Sequence, residues 1–470
     1  MSQNSDFDQS LITVPDAPRR LPRRLIIAVS ILAAIILAVV LVTTQMAKPS
    51  TPVLPSFTPS TIPRTSMLIP QLDWHAVYGG SGDDVFNAVT STADGNIVVA
   101  GATDSPDGDF PGLYGGGDAL VAMVDAKGVL LWAKTFGGPG PDAFHSVAVG
   151  SDGSIYAAGE TASLGGDILS SRGSDALIVK LSPGGDVLWT KAFGGSGDDV
   201  FNCVLGAGNG VVVAGQTSSA DGSLPATHGN SDALLAGIGA DGTLTWAEAL
   251  GGTGDDSFTS ATLAQDGGIV AVGWSDSRDG DFSDPRAGSN AVIAGFGPNG
   301  QPIWYNVFGG SGDDEFNAIT TRADGTFLVG GSSNSQDGDM PAALNPLRRV
   351  GIFGVLTTDR SQASFGRQVD NSSITFTAAA VTESGALANM MKMSCHNADG
   401  QGVPCAMFVL TDLTYPDTEM IDLTDDGGFL GASALADNKL AVVGYSSGDS
   451  AIYPGTKGGR DAFLMVYQIF

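Results

Sequence analysis

A ten-residue phrase recurs five times along this chain at a nearly fixed spacing. It reads YGGSGDDVFN from Tyr78, FGGSGDDVFN from Phe193 and FGGSGDDEFN from Phe308, with the variants LGGTGDDSFT from Leu250 and FGGPGPDAFH from Phe136. Each copy follows a tryptophan: Trp74, Trp132, Trp189, Trp246 and Trp304, separated by 58, 57, 57 and 58 residues. A period this regular requires stacked, equivalent supersecondary units.

One copy divides by alternation and turn chemistry. Residues 85–92 (VFNAVTST) alternate apolar and polar and stop at the turn Ala93-Asp94-Gly95. A second strand, 96–102, leads through the polar loop TDSPDGDFPGLYGGG to a third at 118–125; a Lys127-Gly128 turn opens a fourth at 129–136. Four short antiparallel strands at this spacing form one blade of a β-propeller. The 66 glycines among 470 residues, with only 15% charged residues, fit short strands joined by tight turns. The recurring Trp and Phe columns supply core packing between units.

First strands begin near Val85, Ala143, Val200, Ser257 and Glu315, and two degenerate units follow at 374–382 and 429–435. That predicts an all-β fold, a seven-bladed β-propeller of four-stranded antiparallel blades, over 71–470. The last unit supplies only three strands, whereas 72–78 (LDWHAVY) is a fourth-strand sequence with no unit before it. Joining the two completes the seventh blade and removes an open edge.

Upstream, 1–24 reads as a short tail ending in Arg19, Arg20, Arg23 and Arg24. The uncharged run 25–42 is just long enough to span a bilayer as a helix. The arginines before it favour a cytoplasmic N-terminus, with the remainder periplasmic or extracellular. A cleaved signal peptide, with TQMA at 44–47 as its cleavage site, is the competing reading. The Pro/Ser/Thr-rich segment 43–70 reads as an extended stalk.

With these elements in place, the repeat resembles the bacterial surface-type β-propeller repeats found in exported proteins. The resemblance rests on DA-hydrophobe-V, G-x-L-x-W, GG-x-G-DD-x-F and an alternating strand ending in AG or VG. It covers residues 72–360 and fades over 361–428, where neither tryptophan nor GGSGDD survives. It implies a seven-bladed ring on an exported protein.

A net charge of −28, from 50 acidic and 22 basic residues, repels nucleic-acid phosphates and anionic lipid surfaces. It suits cations, basic proteins or neutral sugars. In a four-stranded blade the GGSGDD loop and the DGD loop emerge on one face, which should carry a carboxylate rim. Asp83, Asp84, Asp142, Asp198, Asp199, Asp255, Asp256, Asp313 and Asp314 come from the first loop. Asp104, Asp107, Asp109, Asp276, Asp279, Asp281, Asp337 and Asp339 come from the second. A motif copied in every blade mainly serves the blade, with Gly allowing the turn and Asp bonding nearby backbone. Calcium is the second reading, since it takes six to eight oxygens, although the spacing is not that of an EF-hand. A catalytic carboxylate pair is the third.

No nucleophile-elbow, Walker or dinucleotide glycine pattern holds in its context, since the many Gly pairs are turns and not phosphate cradles, and His75, His145, His228 and His396 share no metal-ligand spacing. His145 stands at an Asn position of the repeat, which suggests a buried or turn-bonding role. Cys203 occupies an Ala position and reads as a small buried hydrophobe. Cys395 and Cys405 flank the polar loop HNADGQGVP, which could hold a disulfide in an exported domain. Blade six breaks the phrase, so Arg348, Arg349, Met391, Lys392 and His396 are candidates for partner binding on a rigid scaffold. The expectation is a monomeric, non-catalytic binding or scaffold module for a protein or glycan. A calcium-assisted hydrolase or lyase is the alternative.

Overall fold

The structure, a computed structural model, describes residues 70–470 except 111, 167, 169–172, 341–348, 358–362, 368–373, 382–386, 397–401, 413–414, 424–426, 447–456 and 470. The tail, the apolar run 25–42 and most of the stalk lie outside the described residues. No described helix is long and apolar enough to cross a membrane.

After β1 (Pro70–Tyr78), the first sheet holds β2 (Asp84–Ser91), β3 (Ile97–Thr103), β4 (Asp118–Val124) and β5 (Leu130–Phe136). The second holds β6 (Asp142–Val149), β7 (Ile155–Thr161), β8 (Asp175–Leu181) and β9 (Val187–Phe193). The third holds β10 (Asp199–Ala207), β11 (Gly210–Thr217), β12 (Asp232–Ile238) and β13 (Leu244–Leu250). The fourth holds β14 (Asp256–Leu263), β15 (Ile269–Ser275), β16 (Asn290–Phe296) and β17 (Pro302–Phe308). The fifth holds β18 (Asp314–Thr321), β19 (Phe327–Ser333), β20 (Val350–Leu356) and β21 (Ala363–Arg367). The sixth holds β22 (Ile374–Val381), β23 (Leu387–His396), β24 (Gly402–Asp412) and β25 (Tyr415–Leu423). The last contains β26 (Gly427–Leu435), β27 (Lys439–Ser446) and β28 (Asp461–Ile469), and β1 completes it by pairing with β28.

All pairings within the sheets are antiparallel, and the first strands touch in the closed order β2, β6, β10, β14, β18, β22, β26, β2. This is an all-β propeller of four-stranded antiparallel blades. Cores built from described side chains account for six blades and not for all seven expected from the repeat. The sheet β22–β25 is described by its strands, and of its side chains only Ala380 is described.

The core lies between blades. One cluster joins Phe86, Val99 and Leu120 to Val443, Leu464 and Val466 of the closing blade, and another joins Val98 and Val121 to Phe144, Val147 and Leu177. Phe86, Phe144, Phe201, Phe258, Phe316 and Phe429 occupy one repeated position and are at most 1% exposed. Burying each ring contributes about 2–3 kcal/mol. The third strands β4, β8, β12 and β16 are buried along their whole length, which explains their unbroken apolar runs. Outer-strand tryptophans reach the next blade: Trp132 Nε1 donates to Pro183 O at 3.3 Å and Trp189 Nε1 to Ala240 O at 3.0 Å.

Each first strand bulges directly after its phenylalanine, as between Phe86 and Ala88, Phe201 and Cys203, and Phe258 and Ser260. The asparagine of DDVFN sits at the bulge and ties first strands together. Asn87 Nδ2 donates to Phe144 O at 2.8 Å, and Asn202 Nδ2 to Phe258 O at 2.9 Å. Cys203 is a free, buried thiol whose burial pushes its pKa up to about 11. It packs as a small hydrophobe.

Candidate functional site

The acidic phrase is first of all a structural lock. In blade four, the backbone N–H groups of the GGTGDD loop donate into the DSRDGD loop. Thr253 N donates to Asp279 Oδ1 at 2.7 Å, Asp255 N to Asp276 Oδ1 at 2.6 Å and Gly251 N to Asp281 Oδ2 at 3.2 Å. Blade one repeats this with Ser81 N on Asp107, Asp83 N on Asp104 and Gly79 N on Asp109. Blade five uses Asp337, Asn334 and Asp339 in the same places. A turn that points several N–H groups outward needs acceptors, and the DGD carboxylates supply them.

The two aspartates of GDD differ. Asp83 and Asp198 are exposed, whereas Asp84, Asp142, Asp199, Asp256 and Asp314 open the first strands and are at most 3% exposed. The buried carboxylate collects donors from its own blade. For Asp199 these are Gly195 N at 3.1 Å, Ser219 Oγ at 2.7 Å and the Thr217 hydroxyl. Its counterpart Asp314 has Gly310 N at 2.9 Å, Ser335 Oγ at 2.7 Å and the Ser333 hydroxyl. These second aspartates act as framework acceptors. Among the described residues, no group of three or more His, Cys, Asp or Glu could hold a metal ion.

Individuality resides one residue inward. The second residue of each first strand, which follows the buried Asp in the first five blades and Gly427 in the closing one, pairs across the sheet with the residue between the repeated Gly and Thr/Ser of the second strand. The pairs are Val85 with Ala102, Ala143 with Glu160, Val200 with Gln216, Ser257 with Trp274, Glu315 with Ser332 and Gly428 with Tyr445. Strand alternation turns this column away from the buried Thr and Ser beside it, at the acidic-loop end of the innermost strands. Glu160, Gln216, Trp274 and Tyr445 are partly exposed there, unlike the buried residues flanking them. The repeat keeps its frame constant and varies this ring.

Two charged clusters stand on the ring. In blade two, His145 Nε2 lies 3.5 Å from Glu160 Oε1, and Ser174 Oγ donates to Glu160 Oε2 at 3.1 Å. His145 beside it holds the Glu160 carboxyl below the usual range, against the opposing effect of burial. Both partners address the carboxylate, so Ser174 is not set up as a nucleophile against His145. His145 therefore faces the ring instead of making the interblade bond of the Asn it replaces. In blade five, Arg349 Nη1 lies 2.7 Å from Glu315 Oε1, and Ser332 Oγ donates to the same oxygen at 2.7 Å.

A cleft of about 550 Å³ opens at the ring where the first, second and closing blades meet; Asp83, Asp104, Glu160, Ser174, Tyr445 and Arg460 line it. The Arg460 guanidinium sits 5.1 Å from the Tyr445 ring centroid.

Of the partner-binding candidates, Arg349, in blade five, is placed at the ring. Arg348 lies outside the described residues, as do the side chains of Met391, Lys392, His396, Cys395 and Cys405. Register pairs Thr375 with Lys392, the position equivalent to the variable column. It pairs Cys395 with Val403 and Cys405 with Met393, so the cysteines are diagonal and not directly opposite. The residues missed from sequence are Glu160, Gln216, Trp274 and Tyr445. Their signal was present in AGAT, AGET, AGQT, VGWS, GGSS and VGYS, where the third letter alone changes freely, and in a sixth tryptophan outside the repeated column.

No family model matches this chain. It is similar to the regulatory protein FlaEY of Caulobacter vibrioides, 29% identical over 181 residues that make up 35% of this chain and 19% of that protein. The chain therefore spans about a fifth of that relative's length. Among solved structures, YCF48 bound to D1 peptide aligns with a TM-score of 0.41 at 10% identity, covering 87% of this chain and 99% of that one. The β-propeller domain of the trilobed protease from Pyrococcus furiosus aligns with a TM-score of 0.42 at 8% identity, covering 81% and 95%. An α-L-arabinanase of Penicillium chrysogenum complexed with arabinobiose aligns with a TM-score of 0.39 at 12% identity, covering 68% and 91%.

Proposed function

We propose that this chain is an exported, membrane-anchored, seven-bladed propeller that binds a protein or glycan partner without catalysing a reaction, through the variable ring on its acidic face. The observation that carries the reading is the contrast between a frame repeated blade by blade and a single column that changes from Ala102 to Glu160, Gln216, Trp274, Ser332 and Tyr445. Specificity needs unlike groups on a rigid support, and this column is where the unlike groups stand. The apolar run 25–42, preceded by four arginines, supports an anchor with the propeller outside the cytoplasm.

Immobilised full-length protein probed with peptide and glycan arrays should yield a defined class of ligand. For that ligand, Trp274→Ala is expected to cost about 2 kcal/mol, roughly a 30-fold loss of affinity. The unfolding midpoint should stay where it is, because the indole is partly exposed. Unchanged affinity in Trp274→Ala, Tyr445→Ala and Glu160→Ala alike would exclude the ring. Protease added to cells stripped of any outer envelope should digest the propeller; a protected propeller would refute the orientation.

A further inference from the structure

A second aspartate is buried at four of the blade junctions, and the repeated acidic rim does not account for it. It opens the third strand: Asp118, Asp175, Asp232 and Asp461, with Asn290 at the equivalent position of blade four. All are at most 6% exposed. Each faces the buried Asp of the next blade across the first glycine of the GG pair. A methyl group on Gly137 would stand 2.5 Å from Asp118 Oδ1 and 2.5 Å from Asp142 Oδ2. On Gly79 it would meet Asp461 Oδ1 and Asp84 Oδ2, and on Gly251 it would meet Asp232 Oδ1 and Asp256 Oδ2.

The oxygens aimed into these junctions include Asp461 Oδ1 and Asp232 Oδ1, both wholly buried and without a hydrogen-bond partner. The other oxygen of Asp461 is occupied, accepting Lys457 N at 2.7 Å. Asp84 Oδ2 and Asp256 Oδ2 already accept a Gly N–H and a Ser hydroxyl, so the unpartnered Asp461 and Asp232 oxygens face a second carboxylate in a dry site, where two ionised groups repel each other. One proton between them turns the repulsion into an O–H···O bond.

Asn290 makes the same point by substitution. An amide can turn its NH2 group toward Asp314 Oδ2, doing the work of a protonated Asp at the same place. Both of its amide atoms are buried and unpartnered as placed, and its oxygen faces Asp314 across Gly309.

We propose that the Asp461–Asp84 and Asp232–Asp256 blade junctions are proton-binding sites, in which one proton is shared between the third-strand aspartate and the first-strand aspartate of the next blade. Burial pushes the carboxyls of Asp84 and Asp256 up, with Asp461 and Asp232 respectively adding to the effect, in keeping with a held proton. The charged groups around Asp461 and Asp84 are Asp109 on Gly79 N, Lys457 on Asp109 at 2.6 Å, and Asp83 and Arg460 at the strand ends. Around Asp232 and Asp256 they are His228, 2.6 Å from Asp232 Oδ2, with Asp255, Asp279 and Asp281 in the loops. The His228 imidazole is in direct contact with Asp232, so the Asp461 junction is the cleaner one to test.

A carboxyl whose pKa is raised on folding binds its proton more tightly in the folded chain. Its stabilisation is therefore present at low pH and is lost as pH rises through the folded value. Asp461→Asn should raise the unfolding midpoint of the full-length protein at about pH 7.5 by about 1–2 °C, and should shrink the gain in midpoint on going to about pH 5.5. Asn290→Asp creates a new pair and should do the reverse, lowering the midpoint at the higher pH and steepening the pH dependence. Infrared spectra at neutral pH should show a protonated carboxyl band that weakens in Asp461→Asn. A lower midpoint in Asp461→Asn together with an unchanged pH dependence in Asn290→Asp would overturn the proposal. So would a wild-type midpoint that falls on calcium chelation, with that fall absent in Asp461→Asn, because the junction would then hold a cation.

Discussion

Gly215→Ala is expected to destabilise the propeller by about 3 kcal/mol, at the upper end of what overpacking costs. A methyl group there would run into the carbonyl oxygen of Val200, with Val200 C at 2.9 Å and Phe201 Cα at 3.0 Å. Every obstructing atom is backbone, so no side chain can swing aside. The close approach follows from the bulge between Phe201 and Cys203, which drives the first strand against the second. Gly101, Gly159, Gly273 and Gly331 meet the same obstacle in their own blades, so the Gly of each AG or VG is a packing requirement. Denaturant unfolding with tryptophan fluorescence measures the loss. Gly184→Ala, in an open turn where the nearest atom would be Ser182 Oγ at 3.7 Å, should be neutral within about 0.5 kcal/mol.

Asp199→Ala should cost a comparable amount, about 3 kcal/mol, while Asp198→Ala changes stability by about 0.5 kcal/mol or less. The two residues are adjacent and chemically identical, yet only Asp199 is buried. Its loss leaves the Thr217 and Ser219 hydroxyls and the Gly195 N–H without their acceptor in a site that water cannot easily fill. The Asp198 carboxylate accepts one long bond, from Ser174 N at 3.3 Å, at an exposed position. Equal effects of the two substitutions, read from the same unfolding curves, would mean that the GDD pair does not divide its labour in this way.

Much of the fold was legible in the sequence because the period is regular and each strand carries its own alternation. The reading of 118–125 as a strand meets Asp118–Val124, and the two incomplete ends, LDWHAVY and DAFLMVYQIF, pair as β1 with β28. The site was less legible. Nothing local distinguishes Asp83 from Asp84; the difference is one step of strand alternation, which turns one toward the core and leaves the other in water. Nor does spacing reveal that Asp107, 26 residues beyond Ser81, accepts that residue's N–H. The period itself does not point to Glu160, Gln216, Trp274 and Tyr445, which are informative because they do not repeat. Blade six broke the phrase most visibly, but it places Lys392 in the variable column only through register that no local motif announces.

Ligand capture on the arrays by two charge- and surface-altered proteins tests most directly whether the acidic rim is frame and the ring is site. The first, Glu160→Ala with Trp274→Ala and Tyr445→Ala, alters the ring. The second, Asp107→Asn with Asp279→Asn and Asp337→Asn, removes rim charge while keeping an acceptor for each loop N–H. The ring variant should lose capture with its unfolding midpoint unchanged, and the rim variant should retain both capture and fold. Capture lost in the rim variant and kept in the ring variant would contradict the assignment.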